Sequence, residues 1–233
     1  MRGVAHVFRF FLPAPDGAAA GARVVLAPED AQRAHRVLRL REGEPIEVAD
    51  GAGRVFAAVV EDARGGLVRL GDELPPGPGL APIRVLLAQS GPRAGDAVEK
   101  LVELGVAEIG PLLATGRRRE ARLDRWERIA AGAAAQAKLT RMPTILPAVA
   151  FADALADAIV CSHEEDDTAL DDALAAGTRP VTLLIGPEAG FSAAELAEAR
   201  AARRPIVSLG ATVLRTETAA VVAATLVRDR LTG

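Results

Sequence analysis

The 233-residue sequence predicts a two-part protein, a small all-β region followed by a larger α/β region. Before residue 75, short apolar segments are separated by glycine-containing turns, which is typical of a β-meander. Residues 75–82 are rich in proline and glycine, as a linker is. After them strands and helices alternate, which favours a mostly parallel sheet with helices on its faces. We therefore predict a β domain at 1–74, a linker at 75–82 and an α/β domain at 83–233.

The β domain is predicted to contain three strands, at 45–49, 54–60 and 67–70, with a short helix at 29–39. Glycine-containing turns at 50–53 and 64–66 separate the strands. Four of the six phenylalanines fall in this region, and we expect them to fill its core. They are Phe8, Phe10, Phe11 and Phe56.

The α/β domain is predicted to contain five strands and four helices. Asp96 and Glu99 are suited to cap the first helix, which Gly105 ends. We expect that helix to bury Val98, Leu101, Val102 and Leu104. The second helix spans 123–139, the third follows Ser192, and the last continues to about residue 231. The strands are predicted at 83–89, 106–113, 158–162, 181–185 and 206–209.

Composition restricts the class of protein. Half of the residues are hydrophobic, enough for a substantial core, and no segment approaches the ~20 apolar residues of a membrane span. A single cysteine, Cys161, excludes an internal disulfide, and the three scattered histidines cannot assemble a structural zinc site. A net charge of −3 and the absence of tyrosine argue against a protein that coats single strands by base stacking. We expect a cytoplasmic protein without a metal, in which Cys161 is a buried apolar residue and His35 packs locally.

Two strand–loop–helix segments near the C-terminus predict a ligand site. The strand at 181–185 runs into a loop with Gly186 and Gly190, after which Ser192 and Glu195 form a capping box. The strand at 206–209 runs into a second glycine loop and the last helix. Ligands of open α/β sheets collect where strand ends meet helix starts, because the backbone N–H groups there lack partners within the helix. Two such loops side by side can enclose a small molecule.

The residues of these loops resemble a known signature. The order and spacing are those of the RsmE family, SPOUT-class methyltransferases that modify N3 of a uridine in 16S ribosomal RNA. Further matches occur at Arg9-Phe10-Phe11, at Asp50-Gly51-x-Gly53 and at Lys100-x-x-Glu103-Leu104-Gly105-Val106. The two signature segments are Ile185-Gly186-Pro187-Glu188-x-Gly190-Phe191 and Leu209-Gly210-x-x-Val213-Leu214-Arg215-Thr216-Glu217-Thr218-Ala219.

The resemblance implies a fold, a cofactor and partners. The α/β domain would be a SPOUT-type trefoil-knotted domain that binds S-adenosylmethionine (SAM). The β domain would be a PUA-like barrel that helps to grip RNA, and the protein would act as a homodimer on 16S ribosomal RNA or the small ribosomal subunit. The apolar last helix is a candidate dimer surface, although burial within one subunit explains its apolar residues equally well.

The two loops also supply the predicted cofactor and catalytic residues. Glycines allow close backbone approach to a ligand, and aliphatic side chains offer apolar walls. A uridine N3 carries a proton that must be removed before it attacks a methyl group, so Glu217, which we favour, or Glu188 would act as general base. Arg215 would stabilise the developing anion or hold a phosphate. The predicted cofactor-binding residues are Leu184, Ile185, Gly186, Glu188, Gly190, Leu209, Gly210, Val213 and Leu214.

Arginine-rich segments are the candidate RNA contacts. The segment 33–41 holds four arginines with no acid between them, whereas acidic residues intervene in the segment 117–128 and can neutralise it. Each arginine could equally belong to an ordinary solvated surface. The predicted RNA-binding residues are Arg9, Arg33, Arg36, Arg39, Arg93, Lys100 and Arg117.

Departures from the resembled pattern leave two alternatives open. Ala189 replaces a usual glycine, Ala211-Thr212 a usual Pro-Arg, and Gln136-Ala137-Lys138-Leu139 a usual Gln-Ser-Gly-Arg. The protein could therefore be a SPOUT methyltransferase with a different RNA target. It could also be a ribosome-associated RNA-binding protein that has lost turnover.

Overall fold

The computed structural model describes residues 7–13, 18–88, 92–114, 122–163, 170–175 and 180–232. The chain forms two compact units, and neither is a continuous stretch of sequence. The first comprises the residues up to Gly79 together with Ala134–Met142, and the second comprises Leu80–Ala133 and Pro143–Gly233. The polypeptide therefore passes from one unit to the other three times.

The first unit is built on a five-stranded mixed sheet with the strand order β1-β3-β4-β5-β2. Strand β1 runs parallel to β3, and every other pair in this sheet is antiparallel. Phe10, Val48, Phe56 and Leu70 are almost completely buried and form the centre of its core, while Phe8 is half-buried. The elements are β1 (Arg9–Phe11), β2 (Arg23–Val25), α1 (Pro28–Gln32), a π-helical turn (Arg33–Val37), β3 (Pro45–Ala49), β4 (Val55–Asp62) and β5 (Leu67–Glu73).

The segment 134–142 is held in the first unit by backbone and side-chain contacts. Arg141 forms an isolated β-bridge with Ala52, and the Met142 amide donates to the Gly51 carbonyl at 3.0 Å. The guanidinium of Arg9, 8 % exposed, donates to the Leu139 carbonyl at 3.0 Å. These contacts involve residues far apart in sequence, so they could not be predicted from local pattern.

The second unit has a parallel sheet of order β12-β10-β11-β6-β7-β8, with β9 paired to β7. Successive residues of each strand point to opposite faces of the sheet. Leu86, Val160 and Leu184 join the cluster formed with α4 and α6, whereas α7 packs on β6, β11 and α2. The elements are β6 (Ala81–Leu87), α2 (Pro92–Glu103), β7 (Val106–Leu113), α3 (Leu123–Gln136), β8 (Thr144–Ile145), β9 (Val149–Ala150), α4 (Phe151–Ala154), a 3₁₀ turn (Leu155–Asp157), β10 (Ala158–Cys161), α5 (Leu170–Ala175), β11 (Val181–Ile185), α6 (Ala193–Ala201), β12 (Ile206–Val207) and α7 (Thr216–Thr232).

Several predicted boundaries change. Helix α2 starts at Pro92, so Asp96 lies inside the helix and does not cap it, and Leu104 is only half-buried. Gly105 ends the helix as predicted, with a φ of 73°. The predicted helix 29–39 becomes α1 and a π-helical turn, and the predicted strand 206–209 is two residues long. Strands β4 and β5 extend two and three residues further than predicted, and Gln89 lies outside the described residues.

Candidate functional site

A pocket with about 490 Å³ of empty space lies at the carboxyl ends of β10, β11 and β12. These strands are neighbours in the sheet, because Cys161 is in register with Ile185 on one side and with Val207 on the other. The loops that follow the three strands therefore meet at one edge. The pocket is lined by Cys161, Ser162, His163, Ile185, Gly186, Pro187, Gly190, Phe191, Leu209, Gly210, Thr212, Leu214, Thr216 and Ala219.

The first glycine loop, residues 186–191, is a tight turn closed by an aromatic ring. The Gly190 amide donates to the Pro187 carbonyl at 2.9 Å, and the φ of 76° at Gly190 favours glycine. The Phe191 ring lies against Gly186, so a Cβ at position 186 would be 3.1 Å from that ring. Phe191 also packs on Phe151 at 5.2 Å between ring centroids. The capping box of Ser192 and Glu195 then starts α6 as predicted.

The second glycine loop, residues 208–215, is more open. The Ser208 hydroxyl donates to the Gly210 carbonyl at 3.0 Å, and Gly210 has a φ of 132°. A Cβ at position 210 would have no neighbour within 4 Å, so the backbone there borders free space. The loop ends at Thr216, whose hydroxyl donates to the Gly186 carbonyl at 3.0 Å. This hydrogen bond joins the two glycine loops directly.

The pocket lining has little charge. Among the described residues, none of the Asp, Glu, Lys or Arg side chains lines the pocket. Burial raises the pKa of the Cys161 thiol to about 12, so this side chain stays neutral near pH 7. The imidazole of His163 is exposed. A pocket with apolar walls, hydroxyl groups and accessible backbone suits a small molecule with a flat ring and a polar tail.

The structure brings six of the nine predicted cofactor-binding residues into the lining: Ile185, Gly186, Gly190, Leu209, Gly210 and Leu214. The other three lie elsewhere. Leu184 is completely buried in the core between the sheet and α6, the Val213 side chain is 69 % exposed, and Glu188 points to solvent.

The three predicted catalytic residues have different surroundings. Glu188 accepts a hydrogen bond from Arg93 at 2.9 Å, and both side chains are about half exposed. Glu217 is half-buried in the first turn of α7, directly after the pocket residue Thr216. Arg215 is exposed.

The predicted RNA-binding residues of the first unit divide into two groups. Arg36 and Arg39 are exposed, and Arg33 is half-buried with its guanidinium 5.9 Å from the centre of the Phe10 ring. Arg9 is a correction, because its buried guanidinium is paired with Glu47 at 2.9 Å and holds the segment 134–142. We therefore remove Arg9 from the candidate RNA contacts.

In the second unit, Arg93 and Lys100 are both already paired. Lys100 contacts Glu99 and Glu103 at 2.9 Å each, and hydrogen bonds to the two carboxylates raise the pKa of its ammonium group. Such exposed pairs are weak and can exchange for a phosphate. Arg117 lies outside the described residues.

Sequence analysis missed the third wall of the pocket, formed by Cys161, Ser162 and His163 at the end of β10. The strand at 158–162 was predicted, and parallel strands end at the same edge of a sheet. However, sequence alone does not reveal that β10 lies between β11 and β12. Thr216 was quoted as part of the signature, but its contact with Gly186 spans 30 residues and has no local signal.

The described ranges contain no group of three or more His, Cys, Asp or Glu side chains arranged to hold a metal ion. None of the helices in those ranges is long and apolar enough to cross a membrane.

Comparison with known families identifies the class to which this fold and pocket belong. The family described as "RNA methyltransferase domain" matches residues 80–228, which include the whole parallel sheet and both glycine loops. The ribosomal RNA small subunit methyltransferase E of Mycobacterium bovis is 33 % identical over 222 residues, covering 87 % of this chain and 85 % of the relative. The enzyme of that name from Synechocystis is 30 % identical, covering 86 % and 75 %. The chain belongs to the ribosomal RNA small subunit methyltransferase E family, as its signature loops predicted.

Solved structures agree with this assignment along the whole chain. A Neisseria gonorrhoeae ribosomal RNA small subunit methyltransferase E bound to SAM has a TM-score of 0.82 at 28 % identity, covering 97 % of this chain and 98 % of its own. A methyltransferase from Legionella pneumophila, also in complex with SAM, has a TM-score of 0.85 at 27 % identity, with the same coverage.

Proposed function

We propose that this protein is a SAM-dependent methyltransferase of small-subunit ribosomal RNA. The observation that carries the proposal is the pocket at the ends of β10, β11 and β12, framed by both signature loops. Its residues fit SAM, because among the described residues no lysine or arginine side chain, which would repel a sulfonium cation, lines the pocket. The open backbone at Gly210 leaves room for close approach, and the ring of Phe191 offers an apolar wall. When bound, SAM supplies an electrophilic methyl group.

The proposed target is N3 of a uridine in 16S ribosomal RNA. Relatives that cover most of this chain are named as methyltransferases of the small ribosomal subunit RNA, and the motifs that resemble their family include the loops around the pocket. The altered segment at Gln136 does not favour another target, since its Lys138 side chain is bound to Glu47 within the first unit.

In the proposed mechanism, Glu217 accepts the N3 proton. Glu217 is half-buried in the first turn of α7, next in sequence to the pocket residue Thr216, and this position supports the assignment. Glu188 is less suited, because its half-exposed side chain is hydrogen-bonded to Arg93 outside the pocket lining. Arg215 is exposed and available to a phosphate or to the uridine anion. Most of the rate enhancement then comes from aligning N3 with the methyl group and excluding water.

Three finer features belong to the same proposal. The second unit would be a trefoil-knotted SPOUT domain, and the curled mixed sheet of the first unit would be a PUA-like barrel that contacts RNA. The active form would be a homodimer. The TM-scores of 0.82 and 0.85 to methyltransferase structures with SAM support this shared architecture.

Two measurements test the function. Titration calorimetry should detect one SAM site per chain. Incubation with SAM and small subunits from a deletion strain should produce N3-methyluridine, which mass spectrometry of nucleosides identifies. A protein that binds SAM but methylates another position would contradict the proposed target, and a protein that does not bind SAM would contradict the proposal as a whole.

A further inference from the structure

We infer that Thr216 is a positioning residue of the proposed SAM site, whose hydroxyl sets the spacing between the two glycine loops before the cofactor binds. The inference rests on the proposed function and assigns a role to a side chain within that site. It starts from one contact, the hydrogen bond that the Thr216 hydroxyl donates to the Gly186 carbonyl at 3.0 Å.

One end of this contact is buried. Thr216 is 2 % exposed although it lines the pocket, and Gly186, which directly follows the buried strand β11, is half-buried. Removing the donor of a partly buried carbonyl costs free energy, so the hydroxyl favours one orientation of the Gly186–Pro187 peptide.

The rest of the first loop depends on that peptide. The Pro187 carbonyl accepts the hydrogen bond from the Gly190 amide at 2.9 Å, which closes the turn. Gly186 is also covered by the ring of Phe191, which packs on Phe151. The hydroxyl of Thr216 and this aromatic ring therefore both lie against Gly186.

Thr216 also connects the end of the second loop to a helix with a buried face. Thr216 is the first residue of α7, and that helix is anchored by Ala220, Ala223, Ala224 and Val227, each no more than 1 % exposed. The rest of the loop, including the open backbone at Gly210, is thereby connected to this helix. One hydrogen bond thus connects the second loop, α7 and the first loop.

The expected consequence for binding is preorganisation. A ligand between two loops must otherwise supply the free energy that orders them, and a pocket ordered in advance binds more tightly. Thr216 would therefore contribute to SAM affinity without offering its hydroxyl proton to the cofactor, because Gly186 already accepts it. This distinguishes a positioning role from direct contact.

The test compares Thr216→Val with Thr216→Ser by SAM calorimetry, with thermal unfolding of the ligand-free protein in parallel. Valine removes the donor and keeps the branched shape, so we expect the Kd for SAM to rise about tenfold. Serine keeps the donor and should restore the Kd to within about twofold of wild type. The KM for SAM should follow the Kd, whereas kcat at saturating SAM should change by less than about threefold, because the chemical groups remain.

Thr225→Val is the matched control. Its hydroxyl donates to the Val221 carbonyl at 2.7 Å on the same helix, but it is exposed and does not line the pocket, so its loss should leave the Kd unchanged.

If Thr216→Val binds SAM like wild type while its unfolding temperature falls, Thr216 is only structural and the inference is overturned. If the valine variant does not fold, Thr216→Ala removes the same donor without adding an atom, and the same outcomes apply. Absence of SAM binding by the wild-type protein would instead contradict the proposed function.

Discussion

Glu188 lies in the first glycine loop and Glu217 in the first turn of α7, and the pocket lining includes neither. Glu188 is held by Arg93 at the surface, at a distance of 2.9 Å. Glu217 is half-buried and follows a residue that lines the pocket. Since a general base works best in a partly dehydrated site, the proposed mechanism assigns this role to Glu217.

Replacing each glutamate with glutamine should separate these roles. For Glu217→Gln we expect kcat to fall about 10²- to 10⁴-fold with little change in SAM affinity, because a general base is lost. For Glu188→Gln we expect a change of less than about fivefold, because an exposed ion pair contributes little. Steady-state methylation of small subunits measures both. If Glu188→Gln lowered kcat more than Glu217→Gln does, Glu188 and not Glu217 would be the general base.

Lys138, Glu47 and Arg9 form an ion cluster in the first unit. The Lys138 ammonium group contacts the Glu47 carboxylate at 2.8 Å and also donates to the Val7 carbonyl. Lys138 has a φ of 58°, a conformation that costs a non-glycine residue about 1 kcal/mol. It stands where the resembled family commonly has glycine, so the ion pair offsets a backbone conformation that glycine would adopt freely.

This cluster predicts a pH-dependent stability. Burial acts to raise the pKa of Glu47, but hydrogen bonds and charges from Lys138 and Arg9 outweigh it and hold the pKa below its ordinary value of 4.5. The stabilisation is therefore present above the ordinary pKa and is lost as the pH falls through the lower, folded-state pKa. Glu47→Gln should lower the free energy of unfolding by about 1–3 kcal/mol at pH 7, because two partly buried cations lose their partner.

The measurement is urea unfolding across pH. The difference between wild type and Glu47→Gln should shrink as the pH falls below 4.5 and through the lowered folded-state pKa of the wild-type carboxyl. Glu73→Gln is the control, since its ion pair with Arg54 is half exposed and should contribute less than about 0.5 kcal/mol. A difference that stays constant down to pH 2 would show that the charge of Glu47 is not responsible.

At the scale of elements, the π-helical turn and the residues after it present exposed arginines. Arg36 and Arg39 are exposed, Val37 is 71 % exposed, and Arg39 follows the turn with a φ of 54°. Within the same turn Arg33 is half-buried, and its guanidinium lies 5.9 Å from the centre of the Phe10 ring. Arg36 and Arg39 are therefore the candidates for contact with RNA.

These arginines should contribute to RNA affinity through phosphate contacts. For the double variant Arg36→Ala/Arg39→Ala we expect weaker binding of a small-subunit RNA fragment and a slope of log K against log salt that is smaller by about one to two. Fluorescence anisotropy at several salt concentrations gives the slope. Arg23→Ala is the matched control, because Arg23 is exposed but already paired with Glu61 at 2.8 Å. If the double variant and Arg23→Ala lost equal RNA affinity, the effect would come from the overall charge and not from contacts of Arg36 and Arg39.

The longer elements of the second unit were predicted, whereas its short elements β8, β9, α4 and α5 and the edge strands of the first unit were not. Strands β7 and β11 match their predicted bounds: β7 follows Gly105, and β11 lies between Pro180 and Gly186. Strands β1 and β2 have three residues each, too few to show a period, and pairing with distant strands creates them. The start of α2 was predicted at Asp96 because Asp96 and Glu99 have the spacing of a capping box. The helix begins instead at Pro92, since proline is favoured at the first helical position.

The candidate site was predictable only in part for a related reason. Glycine loops and a capping box are local signals, and they identified Gly186, Gly190 and Gly210. The wall at the end of β10 depends on strand order, which is a property of the whole sheet. The pairing of Glu188 with Arg93 depends on how two loops 95 residues apart meet.

At the scale of the whole molecule, the proposed homodimer would use the part of the last helix that one chain leaves half exposed. Val227 is buried within one chain, whereas Val221, Val222 and Leu226 remain half exposed. Light scattering of the wild-type protein should give twice the mass of one chain, and Leu226→Glu should shift the mass towards one chain by burying an unpaired charge. Ala197→Glu, at an exposed position of α6, should not. A wild-type mass of one chain would contradict the dimer.

The interleaving of the two units has a consequence for how the protein is made and dissected. A fragment that ends at Gly79 lacks the segment 134–142, so Glu47 loses Lys138, and Arg9 loses the Leu139 carbonyl. During translation, the N-terminal unit cannot be completed until residue 142 has left the ribosome, when more than half of the chain has been synthesised. We therefore expect limited proteolysis not to release a stable N-terminal unit. After a single cut in the linker, the chain still connects the two units at two other places.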